Sequence, residues 1–397
     1  MCPGLCFGLQ RSRHLKVLTV EQLDKYLFSI PKYPGYQGDL GRLLFGCETE
    51  YLIESIQNPN EFMGKEVALV LFRYLAEKYN YRLPFDGPLD RINKDTKFGF
   101  ISIKPDFAYS VLEISFPPRA SVNDLKNLLQ STIDQIDEGL LKLGYRRATY
   151  SVVPHAPYKY DLLEMERHGT WLDLFPSRGH QSSEFYFPDY PAMMSSTQVH
   201  LNVLDRNFFE YLPLMYEVEW KAVSLFSKSQ RFNGLEIGCA RVFLLEETLG
   251  TEYLLKTIPR AIPTNINEYC NSLNALPKYF PKDPFFPAKD YSFIRPRTYG
   301  SVEFRSACAQ TDVDQILAVC AFRVLQIAYA LCHRSNPIRN SDFDARSSLL
   351  AVARTRISKE VTQSEYAKIV HERMNVAMTI VPADWRVFIE RSMGRAA

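Results

Sequence analysis

Acidic and apolar residues alternate along residues 45–54, and this pattern constrains the fold more than any other in the chain. In a β-strand, successive side chains point to opposite faces, so residues two apart share a face. One face would carry Phe45, Cys47, Thr49, Tyr51 and Ile53, and the other Gly46, Glu48, Glu50 and Glu54, with Leu52 as the exception. Two carboxylates on one face repel each other unless a positive charge lies nearby. The pattern therefore predicts a strand whose acidic face meets either solvent or a cation.

Three later stretches show the same alternation. Residues 110–116, 197–203 and 299–305 each predict a strand with one apolar face. Their opposite faces carry Glu113, then Gln198 and His200, then Glu303 and Arg305. If the four strands belong to one sheet, their polar faces line a shared cavity. Ordinary amphipathic sheet faces are the alternative.

The composition is typical of a soluble globular protein and argues against several classes. The 397 residues suffice for one large domain or two ordinary ones, with 46% hydrophobic and 23% charged residues. A net charge of +2 gives no electrostatic case for nucleic acid or an anionic membrane as a partner. The eight cysteines include no C-x-x-C pair, so we expect no zinc site. Scattered cysteines and an N-terminus without a sustained apolar run favour a cytoplasmic protein with reduced thiols.

The chain divides into three predicted parts. Residues 1–40 are expected to form an N-terminal extension, residues 41–310 the catalytic domain, and residues 311–397 a helical region packed on the same domain. The apolar run 316–331 predicts a buried core helix, because it contains charged and amide side chains that a membrane span avoids. The proline-punctuated residues 259–287 are a candidate lid or insert.

Local sequence signals also predict the positions of three further polar residues. Residues 98–116 predict a β-hairpin whose connection begins at Pro105-Asp106. Residues 234–245 predict a loop and strand that hold Arg241. Glu54 follows the acidic stretch and is expected at a rim or surface position.

The polar residues of the four strands favour hard metal ions. Carboxylates suit Mg²⁺, and the imidazole of His200 adds tolerance of Mn²⁺. Arg305, with Arg241 or Arg297 nearby, is placed to hold phosphate or carboxylate oxygens. The sequence has no G-x-x-x-x-G-K-[ST] loop, so metals must do much of the phosphate handling. These residues predict metal-assisted phosphoryl transfer from a nucleotide.

Six motifs, in order between residues 44 and 306, resemble the glutamate–cysteine ligase family of ATP-dependent carboxylate–amine ligases. They are Gly46-Cys47-Glu48-Thr49-Glu50, Leu112-Glu113-Ile114-Ser115-Phe116-Pro117-Pro118, Tyr158-Lys159-Tyr160 through Met165, Met193 through His200, Gly238-Cys239-Ala240-Arg241, and Gly300-Ser301-Val302-Glu303-Phe304-Arg305. The resemblance implies an α+β fold like that of glutamine synthetase. In such a fold a curved antiparallel sheet, packed by helices, forms a funnel-shaped active site.

The same resemblance implies ligands and a reaction. It assigns two or three Mg²⁺ ions to Glu48, Glu50, Glu113, His200 and Glu303. It gives catalytic roles to Arg241 and Arg305, and ATP or substrate contacts to Gln198 and Tyr160. The implied reaction phosphorylates a carboxylate, typically the γ-carboxyl of glutamate. Cysteine or another amine then attacks the acyl phosphate and forms an amide.

Some features leave alternatives open. Lys104-Pro105-Asp106 stands where the family pattern leads us to expect a Glu-Pro pair. No motif specifies cysteine as the amine, and the oligomeric state is open. A kinase of related fold that phosphorylates a small molecule is one alternative, and a non-catalytic ATP-binding relative is another.

Overall fold

An antiparallel β-sheet lies at the centre of the structure. The computed structural model describes residues 18–28, 43–84, 89–154, 190–248, 259, 261–275, 290, 292–297, 300–333, 345–355 and 383–394. The strands are β1 (Phe45–Ser55), β2 (Ile92–Thr96), β3 (Gly99–Asp106), β4 (Ala108–Arg119), β5 (Tyr145–Arg147), β6 (Thr197–Leu201), β7 (Arg231–Phe232), β8 (Leu235–Glu236), β9 (Ile294–Arg297) and β10 (Ser301–Phe304). The main sheet has the order β2-β3-β4-β1-β6-β10-β9, with β5 paired to β1, while β7 and β8 form a separate hairpin.

The register of the sheet brings the polar faces of the four predicted strands together. β1 lies between β4 and β6, with Glu50 opposite Glu113 and Glu48 opposite Gln198. β10 pairs with the other edge of β6, so Glu303 lies opposite His200. Directly opposed residues of neighbouring strands share a face. The four strands therefore belong to one sheet and form one continuous polar face.

The other face of the sheet is apolar and packs on helices. The helices are α1 (Val20–Phe28), α2 (Lys65–Tyr79), α3 (Val122–Lys142), α4 (Phe208–Tyr216), α5 (Glu219–Leu225), α6 (Ala240–Thr248), α7 (Ile266–Asn274), α8 (Val313–His333), α9 (Ala345–Arg354) and α10 (Ala383–Gly394). α8 contacts β6, α3 and α4. In α10, Trp385 stacks on Phe45 of β1 with ring centroids 3.9 Å apart. The mixed helix and antiparallel sheet architecture is as predicted, and the closure of the sheet into a funnel stays a prediction.

α8 is the long apolar helix that the sequence predicts. Its segment Val313–Leu331 is long and apolar enough to cross a membrane by length and composition alone, but most of it is buried inside the structure. Arg323, in the middle of the helix, is fully buried and lies 2.8 Å from the carboxylate of Glu219 in α5. A buried position with an internal counter-ion is what a core helix requires.

The proposed division of the chain stays a prediction. α1 belongs to the predicted N-terminal extension, yet its Leu23 and Leu27 are buried. The backbone amide of Leu18, just before α1, donates a hydrogen bond to Asn274 of α7. The extension therefore packs on the rest of the chain through this helix.

Two local predictions are wrong. β3 continues through Pro105 and Asp106, and the turn to β4 is at Phe107, which has a φ of +59°. The register shifts between Pro105 and Asp106, and such a bulge tolerates a proline. Arg241 lies on the helix α6 and not on a strand. Ala240, Val242 and Leu244 are all buried, so the core surrounds this helix on more than one side, and the alternation of its apolar residues does not identify a strand.

The expectation for Glu54 is also wrong. Its side chain is only 4% exposed, because β5 pairs with the end of β1 and places Arg146 opposite it. The Arg146 guanidinium donates to Glu54 at 2.8 Å, and the hydroxyl of Tyr150 donates to its other oxygen. Glu54 is therefore a buried carboxylate paired with a half-exposed arginine.

Candidate active site

Three carboxylates meet where β1, β3 and β4 lie side by side. Glu50, Asp106 and Glu113 each have an oxygen within 4.8 Å of an oxygen of the other two, and we call them the acidic cluster. Ser115 donates to Glu113 at 3.0 Å, and Ser196 donates to Glu50 at 2.9 Å. These bonds fix the carboxylates in place without neutralising them.

The environment of the acidic cluster disfavours its ionised form. Burial, reinforced by the charge of Asp106, raises the pKa of Glu50 to about 7. Burial, together with the charges of Glu48 and Asp106, raises the pKa of Glu113 to about 8. Carboxylates this close repel one another, and a divalent cation relieves that repulsion. The donor set is all oxygen, which suits Mg²⁺ or Mn²⁺.

A second group of candidate metal ligands lies on β1, β6 and β10. Glu48, His200 and Glu303 have ligand atoms within 4.8 Å of one another, and we call them the histidine cluster. Nε2 of His200 is buried and makes no hydrogen bond with the described residues; it lies 3.6 Å from Oε1 of Glu48. Burial raises the pKa of Glu48, but its contact with His200 and the charges of His200 and Arg297 lower it, and the net shift is downward. Nε2 of His200 is thus buried without a hydrogen bond and lies beside a carboxylate, which is the environment expected of a metal ligand.

Three arginines surround Glu303, and we call them the arginine group. Arg295 donates to both carboxylate oxygens, at 2.7 and 3.1 Å. Arg297 and Arg305 each approach one oxygen at 3.2 Å. Burial raises the pKa of Glu303, but the three guanidinium groups hold it well below its usual range.

The saturation of Glu303 limits how a cation reaches it. A carboxylate has about four lone-pair positions; Arg295 and Arg305 fill three of those of Glu303 with hydrogen bonds, and Nε of Arg297 lies 3.2 Å from one of its oxygens. A cation at Glu303 therefore competes with these guanidinium groups. Arg297 is the most exposed of the three, at 35%, so its displacement costs least.

Gln198 and Arg241 contact other polar groups of the face. The amide of Gln198 donates to Oε1 of Glu50 at 2.6 Å, which orients that carboxylate. Nη1 of Arg241 donates to the backbone carbonyls of Arg305, at 2.8 Å, and Ser306, at 3.2 Å. Its positive charge also lowers the pKa of Glu50, although burial outweighs it. Arg241 thus ties α6 to the end of β10, and its catalytic role stays a prediction.

A buried polar network contacts the chain just after the C-terminal end of β10, at Ser306. Nη2 of Arg323 donates to Ser306 at 2.7 Å, and Nη1 donates to Glu219 and Gln326 at 2.8 Å each. Gln326 in turn donates to Glu219 at 2.6 Å. The network connects α5 and α8 to the residue that follows Arg305.

A pocket of about 290 Å³ opens on the histidine cluster. Its polar lining comes from Glu48, Ser102, Ser115, His200, Asn202, Arg297 and Ser301, and its apolar lining from Leu44, Gly46, Phe100, Phe116, Pro117 and Pro118. Such a combination of rings, prolines and a few directed polar groups is typical of pockets for small organic ligands.

The structure adds residues that the sequence patterns did not select. Asp106 completes the acidic cluster, and alternation along β3 would have found it had Pro105 not been interpreted as the end of the strand. Arg295 lies two residues before Arg297 on the same face of β9, opposite Glu303. Tyr160 lies outside the described residues.

No known family model matches the chain, and no curated protein sequence does either. Solved structures are similar in fold. A bifunctional glutathione synthetase from Pasteurella multocida is 11% identical with a TM-score of 0.55, and the match covers 90% of this chain and 48% of that one. This chain thus spans about half the length of that protein.

Two further solved structures match with lower TM-scores. A glutamate–cysteine ligase from Francisella tularensis in complex with AMP is 13% identical, with 89% and 82% of the two chains covered and a TM-score of 0.44. In the complex between the prokaryotic ubiquitin-like protein Pup and its ligase PafA, the matching chain is 10% identical, with 91% and 64% covered and a TM-score of 0.45. At these identities the likeness to the synthetase establishes a shared fold, and the reaction stays a matter of proposal.

Proposed function

We propose that this protein is an ATP-dependent carboxylate–amine ligase that forms an amide through an acyl phosphate. One observation carries the proposal. A single sheet face holds two groups of cation ligands and three arginines, with an organic-ligand pocket beside them. Phosphoryl transfer from a nucleotide needs this combination, because its catalysis consists mainly of positioning and charge neutralisation.

The two ends of the nucleotide have different requirements, and the face meets both. The rings and prolines of the pocket offer a planar, apolar lining for a base, with Phe100 and Phe116 among its walls. Arg297 lines the same pocket and also contacts Glu303, so phosphates bound there compete with Glu303 for its guanidinium. Arg305 contacts the other oxygen of Glu303, and its guanidinium could likewise leave that oxygen and bind a phosphate.

The metal ligands proposed here extend those expected from the resemblance by one residue. Glu50, Glu113 and Asp106 would hold one Mg²⁺ or Mn²⁺ ion, and Glu48, His200 and Glu303 another. These ions would supply positive charge to the phosphates and polarise the bond that breaks. Gln198 and Ser196 orient Glu50 for this purpose through hydrogen bonds.

The proposed reaction has two steps. An oxygen of the acid, which we take to be the γ-carboxyl of glutamate, attacks the terminal phosphorus of ATP, and ADP leaves. The nitrogen of cysteine or another amine then attacks the acyl carbon, phosphate leaves with the bonding electrons of the carbon–oxygen bond, and the nitrogen loses one proton to that phosphate. The charges of Arg241 and Arg305 both act on Glu50 of the acidic cluster, and Arg305 also pairs with Glu303 of the histidine cluster; we therefore assign to them stabilisation of the charge on the transferring group.

The test measures ADP release with Mg²⁺, ATP and glutamate across a panel of amines, together with product analysis. We expect release that depends on both acid and amine, and an amide product. Glu303→Gln should reduce turnover at least a hundredfold, because it removes one charge from the centre of the arginine group. Glu236→Gln is the matched control. Glu236 also pairs with an arginine, but it is 55% exposed and lies on the β7–β8 hairpin, which is separate from the main sheet.

Two outcomes would count against the proposal as a whole, and a third against the role of Glu303. A stable phosphorylated acid without any amide would indicate a kinase of related fold. Failure of the protein to bind ATP with Mg²⁺ in a calorimetric titration would indicate a non-catalytic relative. Turnover of Glu303→Gln equal to that of the wild type would remove Glu303 from the site.

A further inference from the structure

A lysine ammonium lies against the acidic cluster. β3 places Lys104 directly opposite Glu113, and its Nζ is 3.1 Å from Oε1 of Glu113. The side chain of Lys104 is 33% exposed and that of Glu113 only 9%. Solvent screens this pair less than it screens surface pairs, so the charge of Lys104 acts strongly on its neighbours.

Charge counting gives this ammonium a particular role. Glu50, Asp106 and Glu113 supply three negative charges when they are ionised, and Lys104 supplies one positive charge. The two negative charges that remain match one divalent cation. The charges of Asp106 and Glu48 also act on Lys104, so the ammonium is set among several carboxylates and not beside one alone.

We propose that the ammonium of Lys104 occupies a cation position in the acidic cluster, so that the cluster takes one divalent ion and leaves no negative charge for a further cation. The inference rests on the proposed function, in which this cluster binds Mg²⁺. An ammonium has three donors and no acceptor, so it neutralises carboxylates without becoming a metal ligand. The chain thereby replaces an exchangeable ion with a covalently attached charge.

A simpler role for Lys104 makes the opposite prediction. If Lys104 only orients Glu113 through their ion pair, its removal loosens Glu113 and weakens cation binding. If it occupies a cation position, its removal leaves an extra negative charge, and cation binding becomes stronger or acquires another ion. The sign of the change therefore separates the two roles.

The experiment titrates Mn²⁺ into the metal-free, full-length protein, followed by calorimetry and by electron paramagnetic resonance of free Mn²⁺. Compared with the wild type, Lys104→Met should bind one more Mn²⁺ per chain, or hold the ion of the acidic cluster at least tenfold more tightly. Lys94→Met is the matched control. Lys94 lies on β2, which pairs with β3, and is opposite the core residue Ile101. Its side chain is therefore on the face of the sheet opposite to that of Lys104. We expect wild-type Mn²⁺ binding in that variant.

Further variants show whether the gain in Mn²⁺ binding depends on the acidic cluster, and provide a second test if one variant does not fold. The gain should disappear in the Lys104→Met/Glu113→Gln double variant, because the added ion then lacks a carboxylate. Lys104→Gln is measured in parallel, with circular dichroism to verify folding, in case the methionine variant does not fold. Unchanged or weaker Mn²⁺ binding in folded Lys104 variants would overturn the inference. If wild-type and variant proteins all bind no Mn²⁺, the inference and the proposed metal site fail together. If the wild type binds Mn²⁺ and forms an amide but the folded Lys104 variants show no gain in Mn²⁺ binding, only the inference fails.

Discussion

Replacing Arg323 with methionine should be among the most destabilising single changes to the described core. Arg323 and Glu219 are both fully buried, at 0% side-chain exposure. Without the guanidinium, the Glu219 carboxylate keeps the amide of Gln326, at 2.6 Å, as its described side-chain donor. Ser306 and Gln326 each lose a hydrogen bond from Arg323.

The magnitude follows from these contacts. Removing one partner of a buried ion pair costs about 3–5 kcal/mol, because the other charge stays buried and uncompensated. An ordinary domain has a free energy of unfolding of about 5–15 kcal/mol, so Arg323→Met should lose a large part of it. The Arg323→Met/Glu219→Leu double variant should be more stable than the single variant by about 2 kcal/mol, because no buried charge remains.

Urea unfolding followed by tryptophan fluorescence measures these differences. Lys126→Met is the control, because the ion pair of Lys126 with Asp314 of α8 is exposed and should contribute less than about 1 kcal/mol. A loss below about 1 kcal/mol in Arg323→Met would refute the reasoning. So would a double variant that is as unstable as the single one, since desolvation of Glu219 would then not be the cause.

Two further predictions concern backbone contacts and pH. A Cβ added at Gly238 would lie 1.8 Å from the carbonyl oxygen of Val352, so Gly238→Ala should lower the free energy of unfolding by about 3 kcal/mol in a thermal or urea assay. Gly139→Ala is its control and should cost less, since its nearest neighbours are side chains that can rotate. In metal-free protein, Glu50 and Glu113 stay protonated at pH values where they are ionised in the unfolded chain. The free energy of unfolding should therefore fall from about pH 5 to pH 8, by up to about 1.4 kcal/mol per pH unit for each group. Mg²⁺ should remove this fall and Glu113→Gln should reduce it; a flat profile in a chelator would contradict it.

The polar faces of the strands could be predicted from the sequence because alternation is a local property. Glu48, Glu50, Glu113, His200 and Glu303 all lie on the face that the period of two assigns to them. Their pairing across strands depends on the order of strands in the sheet, which no local pattern contains. The structure supplies that order and with it the two clusters.

The predictions that failed did so for identifiable physical reasons. Pro105 suggested the end of a strand, but a bulge accommodates it and Asp106 stays in β3. Residues 234–245 predicted a strand around Arg241, but the core surrounds this segment on more than one side and it folds as a helix. The burial of Glu54 depends on Arg146, which is 92 positions away in the chain, so only the tertiary structure reveals it.

Carboxylates predominate at one end of the polar face and guanidinium groups at the other, although Lys104 lies in the acidic cluster and Glu303 among the arginines, and this has a consequence for how ligands arrive. The acidic cluster lies on β1, β3 and β4, whereas Arg295 and Arg297 lie on the edge strand β9. The face is therefore an electric dipole that runs across the strands. Because the charges nearly balance, it exerts little long-range attraction on an ion, but it turns a ligand that is itself dipolar. A metal–nucleotide complex, the ligand proposed for this face, would meet repulsion at both ends if it approached the wrong way round, so its orientation would be selected before contact.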